Sequence, residues 1–200
     1  MLSREDELEL RAGPIVASSK ESQESECVRP WQPAICPLGR IEDRLMNFQI
    51  SGLPLAPFTS LFGMTDEELA KRDVVRRVAD KNPGFPCRVS LRDADPGETV
   101  LLLNYEHLPV SSPYRSRHAI FVREHAREAK LDVNEIPEVL QTRLLSLRAF
   151  DADGMMQSAD VVNGSELRPV IEKMFDDPQV RYIHVHNAKP GCFAARVDRA

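Results

Sequence analysis

Between Met46 and Ala200 turn signals cut the chain into short apolar runs, and only one of those runs has the clear period of a helix. Phe48 and Ile50 alternate with polar neighbours, and Cys87, Val89 and Leu91 alternate with Arg88, Ser90 and Arg92. Val75 lies within Val74–Val78, a further short run, while Val100–Leu103 and Ile120–Val122 are continuously apolar. Leu144–Phe150 and Met155–Val162 flank Asp151-Ala152-Asp153-Gly154; Val180–Asn187 and Cys192–Arg199 flank Lys189-Pro190-Gly191. Side chains alternate across a strand, so these runs predict strands joined largely by hairpins. The helical run is Leu167, Val170, Ile171, Met174 and Phe175, spaced i, i+3, i+4, i+7, i+8, with Ser165 as the expected N-cap. Thr65 with Glu68 predicts a capping box and a helix to about Lys71; Ile136–Gln141 predicts a further short helix. The pattern predicts an α+β fold: a largely antiparallel β-sheet with a few short helices on one face.

Residues 1–45 read differently. They are proline- and serine-containing, acidic, and hold no sustained period of 2 or 3.6, so we expect a flexible N-terminal tail ahead of a single domain over 46–200. Cys27, Trp31 and Cys36 fall in that tail and are set aside as site residues. No apolar run approaches the roughly 18–20 residues of a membrane span, and no signal peptide opens the chain, which predicts a cytosolic protein without a membrane partner. A net charge of −5, with no basic run or zinc-finger spacing, argues against a nucleic-acid partner. Four cysteines in 200 residues do not make a disulfide scaffold.

Three segments can carry chemistry. In Arg181-Tyr182-Ile183-His184-Val185-His186-Asn187, Ile183 and Val185 mark the core side. His184 and His186 then share a more polar face, about 6.5–7 Å apart along the strand. Such a pair suits two ligands of one metal, an acid/base pair, or plain surface histidines. A metal needs a third ligand, and His107 and His118 can join only through tertiary structure. Cys192 is the second candidate, as a catalytic thiol. If Arg181 faces Asp198, Cys192 faces Asn187, away from both histidines; a register slipped by one sets it opposite His186. In the third segment Cys87 reads as buried, while Arg88 and Arg92 share the opposite face. They can cradle a phosphate or carboxylate, or simply pair with Asp93 and Glu98. Tyr114 and Arg115 belong to a polar loop of the kind that lines binding sites.

Four stretches together resemble a bacterial family of domains of unknown function, number 1203. They are Gly84-Phe85-Pro86-Cys87-Arg88 with Leu91-Arg92-Asp93-Ala94, and Gly97-Glu98 leading into Leu101–Tyr105. They continue with Pro113-Tyr114-Arg115 before Ile120-Phe121-Val122-Arg123, and His184–Ala188 with Gly191-Cys192-Phe193 and Arg199. The resemblance implies a compact single-domain protein and brings no activity, cofactor or catalytic residue with it. Three functions stay open: a small-anion binding or enzymatic domain using Arg88, Arg92, Tyr114, Arg115, His184 and His186; a metal-dependent enzyme using His184 and His186; and a non-catalytic interaction domain.

Overall fold

The alternating runs pair as two five-stranded sheets in the computed structural model, which describes residues 46–200. In chain order the elements are β1 (Phe48–Ser51), α1 (Asp66–Ala70), β2 (Val75–Val78), β3 (Pro86–Cys87), β4 (Arg92–Asp93), β5 (Thr99–Leu108) and β6 (Ser116–Arg123). They continue with α2 (Glu138–Gln141), β7 (Leu144–Phe150), β8 (Met156–Asn163), α3 (Leu167–Phe175), β9 (Tyr182–Asn187) and β10 (Phe193–Arg199). The first sheet has the order β1-β10-β9-β7-β8 and the second β2-β5-β6-β3-β4. Every pairing between the described strands is antiparallel except β3 with β6. The expected α+β, mainly antiparallel character holds. The expectations for Cys27, Trp31 and Cys36 lie outside the described residues.

Local signals explain several elements. Thr65 accepts from the Glu68 backbone at 3.3 Å and Glu68 accepts from the Thr65 backbone at 2.8 Å, so the capping box opens α1. The Asp151 carboxylate accepts from the Asp153 and Met155 backbones, both at 2.9 Å, and closes the β7–β8 hairpin. The apolar stripe of α3 buries Leu167, Ile171, Met174 and Phe175 against Leu145, Leu147, Ile183, Val185, Ala195 and Val197. Each large side chain buried there contributes about 1.5–3 kcal/mol. Ser165 does not cap this helix; the chain enters it through a 3-10 turn over Gly164–Glu166.

Three expectations need correction. Cys87–Leu91 is not one alternating strand. β3 ends at Cys87, and a turn follows in which Leu91 takes φ +47°, so Arg88 and Arg92 do not share a face. Arg88 is buried and Arg92 exposed. The β9–β10 register is the second correction. Asp198 stands opposite Tyr182 rather than Arg181 and pairs with Arg196. A bulge between Phe193 and Ala195 shifts the ladder by one, so toward the hairpin end Phe193 opposes His186. Third, the His184/His186 face is not a polar outer face. Every residue of β9 is buried: Ile183 and Val185 meet α3, and His184 and His186 meet the second sheet.

Candidate functional site

The space between the sheets is where the polar residues gather. β9 delivers His184 and His186 on one face, two residues apart. β5 delivers His107 at the position where its register with β6 shifts, between Glu106 and Leu108. A bulge of this kind re-aims a side chain. β6 supplies His118, opposite Tyr105. Four of the chain's five histidines therefore meet.

Their hydrogen bonds order the rings. His107 Nε2 lies 2.7 Å from His118 Nδ1, and His107 Nδ1 lies 3.4 Å from His184 Nδ1. His186 Nδ1 lies 3.1 Å from the Gly191 carbonyl oxygen, which only accepts, so this nitrogen carries the proton and leaves Nε2 free. Gly191 reaches that place with φ +73°, a left-handed conformation in which glycine is unstrained. Phe193 stacks on His107 with ring centres 4.7 Å apart and closes the cluster from β10.

Burial sets the charge. It pushes His184 down to about 2, His186 to about 3 and His107 to about 4. The neighbouring imidazoles and Arg148 act in the same direction. His118 also lies below its ordinary value, burial first and Arg148 second. Burial and the neighbouring cation thus favour the neutral form of all four imidazoles.

A cavity of about 640 Å³ adjoins the cluster. His118 is in its wall, along with Arg88, Asn187 and Cys192. Leu102, Phe121 and Leu144 supply apolar surface and Lys189 adds positive charge; Arg143 is also in the wall but is paired with Asp93 at 2.8 Å, and among the described residues no Asp or Glu lines the cavity. Arg88 is the unusual group. Only 2% of it is exposed. Its Nε donates to the Phe193 carbonyl at 2.8 Å, Nη2 to Cys192 Sγ at 2.9 Å, and Nη1 to the Pro86 carbonyl. Burial pulls the guanidinium below its ordinary value, opposed by the neighbouring Cys192. Among the described residues no carboxylate forms an ion pair with it. Its backbone is held from both sides: Arg88 donates to Phe121 at 3.0 Å and accepts from Leu53 at 2.7 Å. Gly52 permits this approach, since a Cβ there would sit 2.6 Å from the Arg88 carbonyl oxygen.

The predicted residues therefore divide. Arg88 and Cys192 share the cavity wall, and His184 and His186 lie in the cluster that His118 joins to it. Cys192 does face Asn187, whose Nδ2 is 3.5 Å from the sulfur, as in the first of the two registers considered, although the Arg181–Asp198 pairing that defined that register is absent. Arg92, Tyr114 and Arg115 are elsewhere. Arg92 pairs with Asp95 and Glu98, Arg115 pairs with Glu106, and Tyr114 lies exposed near Phe150. Sequence reasoning gave no role to Asn187, Arg143 or Lys189, and left His107 and His118 to tertiary structure. For His107 one signal exists: alternation carried on from Leu101 and Leu103 through Tyr105 reaches it.

A family model described as protein of unknown function (DUF1203) matches residues 84–199. The chain belongs to this family. The matched stretch contains the four clustered histidines, Arg88, Asn187 and Cys192, while β1 and α1 lie before it. No curated protein and no solved structure matches this DUF1203 chain. No helix among its described residues is long and apolar enough to cross a membrane.

Proposed function

We propose that the domain binds a small organic acid in the cavity beside Arg88. The supporting observation is charge. A buried guanidinium that lacks a carboxylate partner leaves positive charge uncompensated, at a cost of several kcal/mol. Arg88 is in that position, and the cavity wall next to it adds the cation Lys189, while Arg143 in the same wall is already paired with Asp93. A ligand carboxylate supplies the missing charge. Leu102, Phe121 and Leu144 suit an apolar body, as in most small-molecule sites. Asn187 Oδ1, buried without a hydrogen-bond partner among the described residues, suits an N–H or O–H on the ligand. We place the protein in the cytosol, where the free thiols Cys87 and Cys192 stay reduced.

A thermal-shift panel of small carboxylic acids tests this. A true ligand at a hundred times its Kd stabilises the protein by about 2.7 kcal/mol. Ala119, exposed at the cavity wall, can be enlarged without entering the core, so Ala119→Trp should abolish the shift while folding normally. Lys189→Ala should weaken it. If no acid in the panel stabilises the protein, or a stabilising acid acts equally on Ala119→Trp, the reading is wrong.

A further inference from the structure

The histidine cluster has features that acid binding in the cavity does not use. Three ring nitrogens, one each from His107, His184 and His186, lie within 4.8 Å of one another. Of these residues, His107 Nδ1 and His184 Nδ1 are 3.4 Å apart. A tetrahedral ion with nitrogens at 2.0–2.1 Å holds them about 3.4 Å apart, so this pair already has the separation of two ligands. We propose that His107, His184 and His186 bind one divalent transition-metal ion, and that His118 positions His107.

The hydrogen bonds around the rings support this assignment. His186 donates Nδ1–H to the Gly191 carbonyl, and its Nε2 lone pair is free to ligate. When His107 donates Nε2–H to His118 Nδ1, its Nδ1 lone pair faces the ring of His184. Ligating histidines almost always give their second ring N–H to such an outer partner. Both partners here are in place: a backbone carbonyl and an imidazole. The donors also define the class of ion. An all-imidazole set suits zinc, cobalt, nickel, copper or iron, and not calcium or magnesium, which take oxygen ligands. The three ligands come from both sheets, two from β9 and one from β5, so the ion would tie the sheets together. His118 is at once the partner of His107 and part of the cavity wall, which puts the metal one imidazole from the cavity. This inference rests on the histidines alone and is independent of whether an acid occupies the cavity.

The test uses the full chain, stripped with a chelator and titrated with Co²⁺ alone, with no organic acid present. One cobalt per chain should bind, with the visible ligand-field bands of a nitrogen-ligated ion. His184→Gln and His186→Gln should each abolish those bands. His118→Gln should keep the stoichiometry and weaken affinity roughly 10–100-fold, as loss of an outer partner does. His125 is exposed and outside the cluster, so His125→Gln should change nothing. Imidazole proton–nitrogen NMR of the wild-type protein, with and without Zn²⁺, gives the same reading without any substitution. Ring nitrogens of His107, His184 and His186 should shift, and those of His125 should not. Failure to bind cobalt stoichiometrically, or a zinc response confined to His125, overturns the proposal. So does cobalt binding unaltered by His184→Gln and His186→Gln.

Discussion

The two faces of β9 are buried equally and filled in opposite ways. On one, Ile183 and Val185 pack on α3 among aliphatic side chains and Phe175. On the other, His184 and His186 are 2% and 1% exposed among aromatic rings, with Arg148 and Arg196 opposite His184 on the neighbouring strands. The first face explains why the sheet is stable. The second works against stability, because imidazoles removed from water must find partners or remain under-bonded. His184 has one hydrogen-bonding neighbour among the described residues, His107, at a marginal 3.4 Å. A fold that needed only a core could have used Leu or Phe at these positions. The contrast separates an aliphatic packing face from an imidazole face, and it can be broken by experiment from either side.

The largest effect should come from the packing face. Phe175→Ala empties a fully buried site in the α3 stripe and should cost about 3–5 kcal/mol in chemical denaturation, leaving Co²⁺ binding per folded molecule unchanged. If it also abolishes metal binding in the folded fraction, the two faces are not independent. Acid should strike the other face. His107, His184 and His186 titrate lower in the folded protein than the ordinary value of 6.5, so the unfolded chain takes up protons first. Stability of the metal-free protein should therefore be constant above about pH 7 and fall as pH drops below 6.5. Each histidine contributes a slope of up to about 1.4 kcal/mol per pH unit, running down toward its folded value. Denaturation midpoints between pH 7.5 and 5 measure it; His184→Leu should flatten the slope, and an unchanged slope would mean that this imidazole is not the one resisting charge.

The same substitution gives a smaller effect at pH 7.5. His184→Leu should leave the metal-free protein as stable or raise it by about 1–2 kcal/mol, since an under-bonded polar ring gives way to carbon. A loss above about 2 kcal/mol would show that the histidine face serves packing after all. The smallest effect lies away from β9. Thr65→Ala removes the α1 cap and should cost about 1 kcal/mol, with acid response and cobalt binding unaltered.

Much of the architecture was legible locally. The Thr65/Glu68 box, the Asp151 turn, the α3 stripe and the alternation of β1 and β9 each depend on side chains within a few residues of one another. The position of Cys192 opposite Asn187 was also legible, because the short connection at the hairpin end limits the register there. Farther along, the bulge beside Phe193 shifts the ladder, and the expected Arg181–Asp198 pair is lost. Arg88 was misplaced for a related reason. Alternation in Cys87–Leu91 suggested a strand, whereas Arg88 takes its bonds from Phe193, Leu53 and Phe121, three segments remote in sequence.

What the sequence determined by itself was periodicity: which residues alternate, which form a stripe, and where the chain turns. It placed His184 and His186 on one face and Ile183 and Val185 on the other. Only the tertiary structure decided what that histidine face meets. Whether a strand's polar face is solvated or enclosed depends on a second sheet whose strands lie some seventy residues earlier in the chain. No local pattern carries that information, because a histidine facing water and a histidine facing three others occupy the same position in an alternating strand.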